Sequence, residues 1–261
     1  TALAEWNPIH EPLLPSSSTN YDLHYINSNN SDIIIVSTPD LSYLIDADNC
    51  DYNPEFYVEI KDISGCISKS SIGKTNLLDT VSPSIPIIKD VSVNNLGQSV
   101  ISWEESEGAD LYIVYIQDNS GAWITLDTVY NTFTSYTFLN SSALNSFESF
   151  SIKAIDTCGN ARKRSLTHNS ILLTNTSDVC DYSISLNWND YINWNGSVHH
   201  YNVVISITDA NGNITNSTTR LEGLNEFVIE NISSLASYNI IIEAFNFDST
   251  YKAVSNSIDL N

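Results

Sequence analysis

Three tryptophans constrain this chain more than any other feature. Ser99–Trp103 (SVISW) reads as a strand carrying an inward Trp103, followed by a polar loop and then LYIVYI, on which Leu111, Ile113 and Tyr115 are expected to share one face. The phrase recurs twice. ALAEW then YDLHY places Trp6 before Tyr21, Leu23 and Tyr25, and SISLNW then YNVVI places Trp188 before Tyr201, Val203 and Ile205. The tryptophans are spaced by 97 and 85 residues, the length of a small β-sandwich. The spacing therefore predicts an all-β tandem array of one module.

A chain of 261 residues accommodates three such modules, each large enough to bury a core. With 10 basic against 31 acidic side chains the formal charge is −21, which repels phosphate backbones and anionic headgroups, so nucleic acid is excluded as a partner. No apolar run reaches the roughly 20 residues a spanning helix needs, so direct membrane insertion is not expected. Without Met, and opening at Thr1 apparently inside a strand, the sequence reads most simply as part of a longer protein. Its four cysteines, Cys50, Cys66, Cys158 and Cys180, suit disulfides and an oxidising compartment, with three connectivities open. They form neither a CxxC pair nor a Cys/His cluster, so no zinc and no cofactor is expected.

Taken in order, residues 1–82 form a first module that lacks its first strand and should be the least stable, since an open edge invites pairing. Phe56, Val58 and Ile60 alternate inward on its penultimate strand, and Pro83 and Pro86 mark a stiff linker. Residues 83–176 form a second module of seven short strands ending in HNSILL, in which Phe150, Ile152 and Ala154 take the places of Phe56, Val58 and Ile60. NNLG and DNSG predict tight hairpins with Gly97 and Gly121 at positive φ. Residues 177–261 form a third, in which Tyr238 leads Ile240, Ile242 and Ala244, a spacing that fits a tyrosine whose hydroxyl closes the preceding corner. Glu148 stands at that position in the second module.

The inward Trp, the Tyr-led third strand and the Tyr-x-Ile-x-Ile-x-Ala sixth strand resemble fibronectin type III domains, which implies three tandem fibronectin type III-like (immunoglobulin-like) β-sandwiches, the first truncated at its N-terminus. A narrower resemblance lies in DISGCISKSS, DTVSPSIPIIKDVSVN, AIDTCGN and CDYSISLNWNDYINWNGSVHHYNV. These are similar to the stalk of the large gliding-motility-associated surface proteins of Bacteroidetes exported by the type IX secretion system. That resemblance implies an exported, surface-attached protein, neighbouring modules of the same chain as partners, and attachment through secretion machinery by a C-terminal sorting domain not present in this sequence. Its phrases also imply disulfides Cys50–Cys66 and Cys158–Cys180. Cys50 and Cys66 nevertheless bracket a strand some 20 Å long, so only a fold-back of residues 50–55 would join them.

Several residues invite a functional reading. Asp46, Asp48 and Asp51 in DADNCD are a calcium candidate, set against a solvated turn because the glycine and distal Glu of a full calcium loop are missing. Tyr191 and Trp194, in the loop after the Trp188 strand, either stack on a glycan or protein or plug the interface with the preceding module. Arg162, Lys163 and Arg164 are the only basic cluster, a loop able to dock an acidic neighbour. Thr80 and Thr128, each in a DTV phrase, resemble the Asp-Thr-aliphatic O-glycosylation acceptor of Bacteroidetes. Gly-x-Ser-x-Gly, His-Glu-x-x-His and a phosphate loop are all missing, and neighbouring His199 and His200 point to opposite faces of a strand, so no catalysis is expected. The sequence reads as a structural and presenting stalk fragment, possible adhesin; alternatives are a glycan- or protein-binding module and the accessory part of a secreted hydrolase.

Overall fold

The structure, a computed structural model, describes residues 2–9, 20–27, 29–45, 50, 54–75, 79–178, 182–194 and 196–260. They fall into two compact units, Thr1–Val81 and Ser82–Asn261, and every regular element among the described residues is a β-strand.

The first unit contains β1 (Ala2–Glu5), β2 (Tyr21–Ile26), β3 (Asp32–Thr38), β4 (Ser42–Ile45), β5 (Glu55–Lys61), β6 (Ile67–Lys69) and β7 (Gly73–Lys74). β1 pairs antiparallel with β4, while a second sheet runs β3-β2-β5, with β6 and β7 both against β5. Alternation places Leu23 and Tyr25 of β2 against Phe56 and Val58 of β5, and Ile45 completes the buried cluster. Trp6 follows β1 with its ring 6.1 Å from that of Tyr21.

In the second unit, one sandwich holds β8 (Ile88–Val93), β9 (Ser99–Trp103), β10 (Leu111–Gln117), β11 (Trp123–Tyr130), β12 (Ser135–Thr137), β13 (Ser149–Ile155) and β14 (His168–Asn169). Its sheets run β12-β9-β8 and β11-β10-β13-β14. The other holds β15 (Leu173–Asp178), β16 (Ser183–Trp188), β17 (His200–Thr208), β18 (Ile214–Leu221), β19 (Glu226–Ile229), β20 (Ser237–Phe245), β21 (Lys252–Val254) and β22 (Ile258–Leu260). Here the sheets run β15-β16-β19 and β18-β17-β20-β21, with β22 also on β20. A three-stranded sheet facing a four-stranded one, in this order, is the fibronectin type III layout, so the chain is a tandem of such β-sandwiches. The expected turns form, with Gly97 at φ 74° and Gly121 at φ 85°.

The sequence reading slips in two places. Leu111, Ile113 and Tyr115 do not face the core of the second sandwich; Tyr112 and Val114 do, both fully buried. LYIVYI is apolar on both faces, so period-two alternation cannot choose between them, and a shift of one residue inverts the strand. With the register corrected, Tyr112 matches Tyr21 and Tyr201. The second slip concerns HNSILL, whose strand ends at Asn169. Leu173 already opens β15, which pairs with β16 from Leu173↔Trp188 to Asp178↔Ser183. A division at residues 176/177 cuts that strand. Only residues 170–172 connect the sandwiches, and Ile171 and Leu173 are buried in a hydrophobic cluster continuous across both.

The three tryptophans occupy equivalent surroundings. Trp103 lies 5.3 Å from Tyr112 at 65°, and Trp188 lies 5.6 Å from Tyr201 at 67°, edge-to-face in both cases. Each tyrosine hydroxyl turns back to accept a backbone N–H from the loop before its strand: Ile9 to Tyr21 at 3.2 Å, Ser106 to Tyr112 at 2.8 Å and Tyr191 to Tyr201 at 3.1 Å. The indole N–H of all three tryptophans is buried with no hydrogen-bond partner among the described residues. The tyrosine ring, and no polar anchor, therefore fixes each indole.

Candidate functional site

Tyr191 and Trp194 lie in the loop joining β16 to β17, and the structure turns both inward at the junction with the preceding sandwich. They are 3% and 5% exposed, with ring centroids 4.1 Å apart. A bulge in β8 between Ile88 and Asp90 takes Lys89 out of the ladder with β9, and the Trp194 indole N–H donates to the freed Lys89 carbonyl at 2.6 Å. The Tyr191 hydroxyl accepts the Val91 backbone N–H at 3.0 Å and meets His168 Nδ1 at 2.9 Å. β8 is the last strand of its sheet, so this loop caps an edge that would otherwise stand open.

Backbone and amide bonds extend the junction. The Asn169 side chain donates to the Asp190 carbonyl at 2.8 Å and accepts from the Ile192 N–H at 3.0 Å, the Val254 N–H donates to Ser92 Oγ at 3.1 Å, and the Asn193 amide donates to the Thr167 carbonyl at 2.6 Å. Burial pulls the His168 imidazole down to about 4 and pushes the Tyr191 phenol well above its ordinary range, so both are neutral at pH 7. Burial also raises the Asp90 carboxyl, against the opposing hydroxyls of Ser102 and Ser92. Beside the lock a cleft of about 620 Å³ is lined by Ile85, Ile87, Leu166, His168, Trp194 and Phe247, among others. A neutral His–Tyr pair fixed by packing suits holding two bodies in one orientation.

The glycan-stacking reading of Tyr191 and Trp194 is thus corrected: their faces are occupied by one another and by the neighbouring sandwich, because a loop at this pole covers the edge of β8. Asp46, Asp48 and Asp51 lie outside the described residues. Thr80 and Thr128 are both exposed, Thr128 on β11. Cys66 is a free, exposed thiol, which removes the Cys50–Cys66 pairing; β5 stands between them, and Cys66 sits in a turn in which its N–H donates to Asp62 at 2.9 Å. Cys50 and Cys158 are each disulfide-bonded, and Cys180 lies outside the described residues. Arg162, Lys163 and Arg164 lie between β13 and β14, with the Arg164 guanidinium carbon over the ring of Trp123, 4.4 Å from its centroid.

Sequence reasoning missed a serine that recurs three times. Ser70, Ser165 and Ser255 each donate a backbone N–H to Val58, Ile152 and Ile242, at 2.8, 2.7 and 2.9 Å. Each also accepts the N–H of the same partner on its hydroxyl at 2.9 Å, which clamps the last segment of the sandwich to the penultimate strand. These serines are spaced by 95 and 90 residues, against 97 and 85 for the tryptophans, and serine is too common in this chain for the repeat to stand out.

No protein family matches the chain, and no curated protein matches it by sequence. Among solved structures it is similar to the FN1–FN3 domains of chicken CNTN1, with 16% identity over 92% of this chain and 89% of that one and a TM-score of 0.31. It is also similar to a tetra-tandem repeat in the extending region of a large adhesion protein, with 15% identity over 95% of this chain and 68% of that one and a TM-score of 0.33.

Proposed function

We propose that this chain is a structural and presenting segment of an extracellular protein, its sandwiches serving to hold neighbouring modules in a set orientation and with no catalytic role of its own. The observation that carries this reading is the lock formed by Tyr191 and Trp194. Two sandwiches joined by three residues and sealed by buried aromatic rings resist bending, as a spacer of fixed orientation requires. The disulfide-bonded state of Cys50 and Cys158 supports an oxidising compartment. Residual dipolar couplings measured on the whole chain test it. Couplings from residues 82–172 and 173–260 should fit one alignment tensor; two tensors of different magnitude would mean independent modules and reject the spacer reading.

The finer reading is a stalk of a gliding-motility-associated adhesin of Bacteroidetes, exported by the type IX system and attached to the cell surface through that machinery. The four phrases from DISGCISKSS to CDYSISLNWNDYINWNGSVHHYNV support it. Antibody labelling of intact cells checks it: label at the surface that disappears when type IX secretion is disabled is expected, and label retained without that system overturns the export route.

A further inference from the structure

The three modules place the same two positions side by side on the outer face of the sheet that carries the penultimate strand. One position follows the clamped residue of that strand and is Glu59, Lys153 or Glu243; the other precedes the clamping serine and is Lys69, Arg164 or Val254. Glu59 pairs with Lys69 at 3.0 Å, and Glu243 is bonded by Lys252 at 2.7 Å, so those two faces neutralise themselves. In the second module the acid is replaced by Lys153. Lys153, Arg162, Lys163 and Arg164 are four of the chain's 10 basic side chains, and no carboxylate lies within 4.0 Å of any of them among the described residues. In a chain carrying 31 acidic groups, that concentration of unpaired cations is the opposite of what random surface placement gives.

From this we infer that the outer face of β11, β10 and β13 is a binding site for an acidic saccharide. The cations border a bay of about 540 Å³ that also takes in Tyr115 and Trp123, a volume suited to one or two sugar rings. The Arg164 guanidinium carbon lies 5.0 Å from the Tyr115 ring centroid and 4.4 Å from that of Trp123, and its N–H fork, engaged by no carboxylate among the described residues, is open to an oxyanion. The Ser165 clamp to Ile152 fixes the backbone directly after Arg164, which limits the positions its fork can take before a ligand arrives. The floor is β10, paired on both sides by β11 and β13. Its backbone groups are consumed in the ladders, so the floor of the bay offers side-chain charge and aromatic rings and no backbone groups for a peptide to pair with. That favours a polymer bearing one acid per sugar, whose charges meet several cations at once.

The test is affinity electrophoresis of the whole chain through gels containing polygalacturonate, dextran sulfate, neutral dextran or poly-glutamate, with dissociation constants from calorimetry. Retardation by polygalacturonate or dextran sulfate, but not by dextran, is expected, and which of the two acts separates a carboxylate from a sulfate. Lys153→Glu, which restores the charge pattern of the other two faces, and Arg164→Ala should each weaken binding about tenfold or more at unchanged melting temperature. No retardation by either acidic polysaccharide, binding that survives both substitutions, or equal binding of dextran overturns the site. Poly-glutamate bound as tightly as the polysaccharides overturns the assignment to a saccharide.

Discussion

Glu148 occupies, in the second sandwich, the place that Tyr238 holds in the third, and the two close their corners by different chemistry. The Tyr238 hydroxyl accepts the Ser233 N–H at 2.8 Å, as its spacing in the sequence foretold. The Glu148 carboxylate accepts the Ser142 N–H at 2.6 Å and the hydroxyls of Ser99 and Ser141, each at 2.7 Å. A carboxylate in a tyrosine's place matches no pattern, so only the coordinates reveal its role. Glu148→Ala strands the buried Ser99 hydroxyl and removes the acceptor of two half-buried bonds, from Ser141 and Ser142, and should lower the stability of the second unit by about 2 to 3 kcal/mol in denaturant titration, more than Tyr238→Phe, which frees one donor at about 1 kcal/mol. His168 gives a second residue-scale expectation. Its imidazole is held at about 4 in the folded protein against about 6.5 unfolded, so the unfolded chain binds the proton first as pH falls. Its contribution is complete above pH 6.5 and drains away toward pH 4, by up to about 3 kcal/mol. Protonation of Asp90, whose carboxyl is raised, works in the opposite direction, so the difference between the parent and His168→Asn isolates the histidine. If parent and variant showed parallel stability profiles between pH 6.5 and 4, the histidine would not be the titrating group.

At the scale of elements, the strands announced themselves wherever one face was polar. SISLNW and YNIIIEAF were readable because Asn187, Asn239 and Glu243 mark the outward side. LYIVYI and ILL were not, the first because both faces are apolar, the second because Ile171 and Leu173 serve a core shared by two sandwiches. The junction shows the same limit. Sequence placed Tyr191 and Trp194 in the correct loop and offered both a ligand and a packing role, but the bulge at Lys89 that makes the partner carbonyl available has no signature in IIKDVSV. Because the rings bridge two sandwiches, Trp194→Ala leaves the Lys89 carbonyl unpaired and opens a void beside Tyr191. A loss of about 3 to 5 kcal/mol is expected, and calorimetry should resolve the single transition of residues 82–261 into two. One transition persisting in the variant would show that the sandwiches are coupled by other contacts. The serine clamps belong here too: Ser255→Ala should accelerate amide exchange at Ile242 well beyond its effect on the remaining β20 amides, since it removes that amide's acceptor.

Across the whole molecule the charge of −21 and the uneven cores act together. Part of the acidity is built into turns. Asp62, Asp118 and Asp209 accept side-chain hydrogen bonds from Ser64, Ser120 and Asn213 and also bonds from the backbone N–H groups two and four residues on, which together hold their carboxyls below the usual range. The rest is mutual repulsion, which salt screens. The second unit buries a continuous apolar cluster running from Ile88 to Ala253, whereas the first, among the described residues, buries Leu23, Tyr25, Ile45, Phe56, Tyr57, Val58 and Ile60 and leaves Leu3, Ile33, Ile34 and Leu44 exposed. Among the described residues, one of its sheets consists of two four-residue strands, β1 and β4. Apolar burial is the main term holding such a sandwich together, at roughly 25 cal/mol per Å². The first unit should therefore unfold at lower denaturant than the second. Hydrogen exchange read by mass spectrometry through a denaturant series should show peptides from β2 and β5 losing protection before those from β10, β13, β17 and β20. Added sodium chloride should move both transitions upward. Simultaneous loss of protection along the chain would mean that the two units unfold as one, and that burial within each does not set the order.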